Sequence, residues 1–167
     1  MEESIRNRVE ESGLITLDLE RAFAIENPVL FDLAEYLEQG FLLREKVFRL
    51  ALQQMDVSPF ENKEVALFCS TDAIVPLWSW MLVGLRLGEV AKGIHHASAE
   101  EVYERLFLKA IEDLDPAEYT DQRVIVKGCS EKVPSSAYLA LSLKLKPVVK
   151  SLLFGEACSS VPLFKRR

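Results

Sequence analysis

The sequence predicts an α/β protein, mainly a parallel sheet with helices on both faces, with a helix-rich extension at its N-terminal end. Three observations lead there. From Glu64 onward, short apolar runs alternate with longer helical patterns, the arrangement of strands joined by crossover helices. Two of those runs, "EVALFCS" and "QRVIVKGCS", read as buried-type strands, the first a short continuous apolar run. The chain also has 167 residues, of which 49% are hydrophobic and 28% charged, which suits one domain with a substantial core. A single domain over residues 1–167 is therefore expected, with a mixed portion at 1–60 and the alternating core at 61–167.

Each element has its own reason. In "EESIRNRVEESG", Ile5 and Val9 stand four apart on one helix face, and Gly13 suits a left-handed stop. "LITLDL" alternates as a strand does. "NPVLFDLAEYLEQG" is compatible with a strand at Val29 to Phe31 that turns helical. In "REKVFRLALQQMD", Val47, Leu50, Ala51 and Met55 form a stripe expected to face the core. "EVALFCS" is a buried strand. "PLWSWMLVGLRLGEV" reads as a helix with Pro76 in its first turn, where the missing N–H costs nothing. This helix is apolar nearly all round, so it belongs in the core or at a subunit interface. "KGIHHA" is the next strand. Ser98 and Glu101 then form a capping box that opens the helix "SAEEVYERLFLKAIEDLD". "QRVIVKGCS" is a strand and "SSAYLALSLKLK" a helix up to Pro147. "PVVKSLLFG" is expected to continue as a kinked or separate helix ended by Gly155, and "SVPLFKRR" to be a short strand or extended tail.

Charge narrows the partners. The formal net charge of −6 argues against broad attraction to nucleic acid or to an anionic membrane, since phosphate binding needs a basic surface. Lys165, Arg166 and Arg167 form a local basic cluster, read as a solvated terminus. The opening residues are charged and lack the apolar stretch of a signal peptide. The longest apolar run contains Pro76 and stops at Arg86, short of a membrane span. A cytoplasmic location is expected. There, thiols stay reduced, and the three cysteines are core filler, metal ligands or reactive groups.

The cysteines share a local frame. Cys69, Cys129 and Cys158 are each followed by Ser (Ser70, Ser130 and Ser159) and, a few residues on, by Val-Pro. Cys69 and Cys129 fall at the carboxyl ends of expected strands just before a helix, the edge where open α/β sheets bind ligands. Helix N-termini there favour the thiolate, the form that binds metal or attacks an electrophile. Cys158 follows an expected helix and would emerge at the opposite edge, so a three-thiol site depends on a reversal of the chain at Pro147 or on a second subunit. If the three converge, soft thiolates select zinc, copper(I) or an iron–sulfur cluster. Asp72 is then the nearest candidate fourth ligand, and Lys127 a balancing charge. Against this, the spacing lacks the compact Cys-x-x-Cys pairs of zinc ribbons and ferredoxins, and Cys is also a common small core residue. His95 and His96 point to opposite faces of a strand, so at most one joins a site. Trp78 and Trp80 suit core or interface better than ligand stacking. No glycine-rich nucleotide loop and no Gly-x-Ser-x-Gly is present.

Through "SGLITLDLE", "CSTDAIVP", "RVIVKGCS", "KPVVKSLLFGE" and "CSSVPLFK", the chain resembles, nearly end to end, a bacterial family known as domain of unknown function 2480, found mainly in Bacteroidota. The resemblance carries no established activity. It implies a role in handling metal or sulfur, through association with genes of iron–sulfur cluster assembly. The leading expectation is a cytoplasmic protein whose Cys69, Cys129 and Cys158 hold zinc or an iron–sulfur cluster, as an accessory to iron–sulfur assembly proteins. Two alternatives stand beside it. One is a thiol-dependent enzyme with Cys69 or Cys129 as nucleophile. The other is a homodimeric interaction module that pairs through the Trp78 to Leu87 helix.

Overall fold

The computed structural model describes residues 13–128, 130–156 and 159–166. Among these, seven strands and five α-helices alternate along the chain. Strands β1 (Leu14–Leu17), β5 (Arg123–Val126), β6 (Ser151–Glu156) and β7 (Ser159–Lys165) form one sheet in the order β1-β5-β6-β7. Strands β2 (Val29–Asp32), β3 (Glu64–Phe68) and β4 (Gly93–His96) form a second in the order β2-β3-β4. All neighbours run parallel except β6 and β7. The helices are α1 (Leu19–Phe23), α2 (Glu45–Gln54), α3 (Leu77–Leu87), α4 (Ala99–Asp113) and α5 (Ser135–Leu145). The expected alternation is present, but its strands divide between two sheets. The first helix expected, over residues 2–12, lies outside the described residues.

The chain forms two compact units, an outer one of residues 1–25 and 104–167 and an inserted one of residues 26–103. In the inserted unit, the chain crosses from β2 to β3 through α2 and from β3 to β4 through α3. Phe48 and Leu52 of α2 and Val83 and Leu87 of α3 bury in one cluster with Phe31, Leu33, Val65 and Leu67. Phe31, Val65 and Leu67 have the same strand parity, so both helices cover one face of this sheet. Two right-handed crossovers made in the same direction have that result.

The inward stripe of α2 differs from the expected one. Phe48 and Leu52 are buried with Ala51 and Met55 half-buried beside them, whereas Val47 and Leu50 are 56% and 53% exposed. Both stripes have helical spacing. The one carrying Phe48 removes more apolar area from water, at about 25 cal/mol per Å², and takes the core.

The second correction concerns "PVVKSLLFG", which is not a helix. After α5, the amides of Val148 and Val149 donate to the Leu145 carbonyl in a closing turn, and Lys150 N–H donates to the Gln122 carbonyl at 2.8 Å. The chain then enters β6, parallel to β5 with Val124 opposite Leu152 and Val126 opposite Phe154. β5 would otherwise present a row of unpaired backbone groups on that side, and pairing them outweighs the helical propensity of Leu152 and Leu153. Pro162 is accommodated because β7 is an edge strand with a register irregularity opposite Leu152/Leu153. Pro76 also sits one place earlier than expected, capping α3 from outside with its carbonyl accepting from Ser79. The capping box at α4 is as expected: Ser98 N–H donates to Glu101 at 2.8 Å, and Glu101 N–H to the Ser98 hydroxyl at 3.2 Å.

The two units repeat one another. Each runs strand, helical turn, helix, 3-10 turn, strand, helix, strand. At a constant separation along the chain, Glu45, Phe48, Ala51, Asp56 and Val65 recur as Glu104, Phe107, Ala110, Asp115 and Val124. Asp56 accepts from the Ser58 amide and Asp115 from the Ala117 amide. Asn62 and Asp121, both left-handed at φ 56 and φ 57, each donate to a valine carbonyl at 2.9 Å, Val90 and Val148. An aromatic edge packs on the buried phenylalanine in each unit, Tyr36 on Phe48 and Phe23 on Phe107. Downstream, Val75-Pro76 recurs as Val133-Pro134, and Leu85 and Leu87 as Leu143 and Leu145.

Candidate functional site at the carboxyl ends of the strands

The repeat does not itself align the Cys-Ser pairs, because at the separation that matches Phe48 with Phe107, Cys69 falls on Gly128. Cys69-Ser70 follows the middle strand of the inserted unit and precedes α3, and Ser130 lies in the corresponding slot of the outer unit, between β5 and α5. The helix does not begin at once, because residues 70–76 intervene between Cys69 and α3.

In each unit, an aspartate stands at the end of the first strand, just after β1 and as the last residue of β2, between two buried apolar residues: Leu17-Asp18-Leu19 and Phe31-Asp32-Leu33. That aspartate caps the helical turn after it. Asp18 accepts from the Arg21 amide and Asp32 from the Ala34 amide. Asp32 also accepts from the Ser70 amide at 3.0 Å, which ties the Cys69-Ser70 segment to the neighbouring strand. Burial pushes the Asp32 carboxyl up, but hydrogen bonds from the Ser70 hydroxyl and the Ala34 and Ser70 amides outweigh it and hold the carboxyl below its ordinary value. An aromatic pair flanks the slot in both units. Trp80 stacks on His96 at 4.3 Å, and Tyr138 meets Phe154 edge-on at 5.5 Å.

The outer unit adds what the inserted unit lacks. Glu20 receives the Ser130 hydroxyl and the Lys132 ammonium, both at 2.7 Å. Those two bonds, Lys132 first, hold its carboxyl below the usual glutamate range. The Lys132 amide donates to the Ser130 oxygen, and Lys127 lies 3.9 Å from Asp18. Asp18, Glu20, Lys127, Ser130 and Tyr138 line a cavity of about 130 Å³. Beneath it, Gly128 is fixed by packing: a Cβ there would fall 2.1 Å from the Phe154 ring. In the inserted unit, the position of Glu20 is Ala34, that of Lys127 is Phe68 and that of Tyr138 is Trp80, so the corresponding positions are apolar.

The expected site residues divide accordingly. Cys69 is half-buried and packs against the core of the inserted unit, with its sulfur 3.3 Å from the Thr71 hydroxyl. Asp72 is exposed, as is Ser70, whose contacts go to Asp32. Lys127 and Ser130 belong to the polar cavity, and Ser159 is an exposed residue at the start of β7, opposite Glu156. Cys129 and Cys158 lie outside the described residues, and the expected convergence of three thiols lies there with them. Among the described residues, no group of three or more His, Cys, Asp or Glu is placed to hold a metal ion. His95 is engaged elsewhere, 2.9 Å from Glu64, and His96 is taken by Trp80.

Sequence reasoning passed over Asp18, Glu20, Lys132 and Tyr138. The signal was available in "LDLE" and "FDLA", which match as the ends of repeated first strands once "EKVFRLA" is aligned with "ERLFLKA". Fold and site together define an α/β protein of two repeated parallel units, one of which carries a polar cavity lined by Ser130. The chain belongs to the family described as "Protein of unknown function (DUF2480)", whose model matches residues 3–166. No curated protein and no solved structure matches it. Among the described residues, no helix is long and apolar enough to cross a membrane.

Proposed function

We propose that the protein is a cytoplasmic thiolate-site protein that binds a soft metal, zinc or an iron–sulfur cluster, as an accessory to iron–sulfur cluster assembly. The site is centred on Cys129 and Cys158 of the outer unit. One observation carries the reading. Gly128 and Ser130, on either side of Cys129 in the sequence, follow β5, while Glu156 ends β6 and Ser159 opens β7 on either side of the segment with Cys158; β5 and β6 are adjacent and parallel. That β6 is a strand parallel to β5 supports the reading, because the chain leaves both strands at the same edge of the sheet. Two thiolates would be the minimum for soft-metal ligation. Asp18 and Glu20 offer harder oxygen ligands nearby, and Lys127 and Lys132 would offset thiolate charge. Cys69 belongs to the other unit and packs on that unit's core, so the reading rests on two thiols rather than three.

The cavity favours a second reading, a thiol-dependent enzyme with Cys129 as nucleophile, because Lys127 and Ser130 place a cation and a hydroxyl beside that segment. The two separate in one experiment. The chain is purified without oxygen from iron-supplemented cells, reconstituted, and assayed for zinc, iron and acid-labile sulfide. The metal reading expects stoichiometric metal. A chain that stays bare after reconstitution while one thiol reacts fast with iodoacetamide would replace it with the enzyme reading.

A further inference from the structure

We infer that the exposed face of α3 is a homodimer interface, on which a second copy packs the same helix about a two-fold axis. α3 buries Ser79, Val83 and Leu87 and turns Leu77, Met81 and Leu85 outward, at 79%, 67% and 74% exposure. Those three repeat every four residues, so they form one ridge along the helix, the kind that interdigitates with its like in helix–helix packing. They expose roughly 400 Å² of apolar side chain, within the range of the largest patch on a soluble monomer and about half of what one partner gives to a standard interface.

Gly84 points the same way independently. It sits mid-helix, where glycine costs helix stability, and a Cβ built on it meets no atom within 4 Å. Nothing inside the chain therefore requires glycine there. On the helical wheel, Gly84 and Gly88 border the Leu77, Met81, Leu85 ridge, leaving a dent beside it that lets another backbone approach closely. A ridge with a dent beside it on one uncharged face is self-complementary, and this selects a second copy as the occupant. The repeated helix supplies the contrast. α5 exposes Leu139 and Leu143, both at 64%, but has Ser135, Ser142 and Lys146 where α3 has Leu77, Gly84 and Gly88. Its face is broken by polar groups and has no dent.

Sedimentation velocity on the whole chain, from about 1 to 100 µM, tests this, with Leu85→Glu, Gly84→Leu and Leu139→Glu as variants and circular dichroism to verify folding. The expected result is a wild-type dimer whose dissociation constant rises about 30-fold or more in Leu85→Glu and in Gly84→Leu, but stays within about threefold of wild type in Leu139→Glu. Gly84→Leu keeps the test decisive if Leu85→Glu folds poorly, since its side chain enters open space. A wild-type monomer at 100 µM, a dimer indifferent to both α3 variants, loss in Leu139→Glu alone, or open higher oligomers would each overturn the assignment.

Discussion

The two units carry the same backbone plan with different contents in the same slot. In the inserted unit, Ala34, Phe68 and Trp80 stand at the positions of Glu20, Lys127 and Tyr138, and Cys69 leans on the core. In the outer unit, Glu20, Lys127 and Tyr138 stand at those places and leave a polar cavity of about 130 Å³. A fold needs neither a buffered glutamate nor two lysines at that edge. Parallel strands end there, helices begin there, and backbone N–H groups face outward in both units alike. The difference lies in the side chains, and it is what the proposed site in the outer unit rests on.

The largest effects should come from what the units share. Phe48→Ala and Phe107→Ala each remove a buried ring in the same place, and each should cost about 3–5 kcal/mol of stability by chemical denaturation. If one costs under a third of the other, the two cores are not equivalent. Next comes a position where the units differ. Gly128→Ala should cost about 1–3 kcal/mol because the added methyl meets the Phe154 ring, whereas Cys69→Ala, at the corresponding place, should cost about 1 kcal/mol or less.

A smaller and pH-dependent effect belongs to Asp32. Its folded carboxyl titrates below the ordinary value of 3.8, so its contribution is fully present above that value and is lost as pH falls through the lowered folded value. Denaturant midpoints followed from about pH 6 to 2 should show Asp32→Asn destabilised by about 1 kcal/mol at the upper end and converging on wild type at the lower end. Glu64, held low by His95 and Lys92 against the opposing effect of burial, should behave with the same sign. Smallest in stability but sharpest for function is Glu20→Ala. It imports the inserted unit's Ala34 into the outer slot, and should change the midpoint by under about 0.5 kcal/mol while weakening metal binding about 10-fold or more.

Much of this architecture was legible in the sequence. Four strands, β1, β3, β4 and β5, were legible as short apolar or alternating runs, and the Ser98–Glu101 box fixed the start of α4 to the residue. β6 was not legible, because Leu152 and Leu153 favour a helix by themselves and the pairing that recruits them comes from β5, distant in sequence. The stripe of α2 was misread because two apolar stripes have the same period, and the choice between them depends on which one meets Val65 and Leu67. The repeat of the two units was not legible, because its identities, Phe48 with Phe107 and Asp56 with Asp115, are scattered among substitutions that keep only polarity and size. Glu20 stayed hidden because its partners, Ser130 and Lys132, are contributed from the far side of the inserted unit.

The most direct test of a thiolate site in the outer unit is anaerobic titration of the reduced chain with Co(II), following the sulfur-to-metal charge-transfer absorption in wild type and in Cys69→Ser, Cys129→Ser and Cys158→Ser. The account predicts bands in wild type that persist in Cys69→Ser and disappear in each of the other two. Bands that vanish in Cys69→Ser and survive in Cys129→Ser and Cys158→Ser, or no bands in wild type, would contradict it.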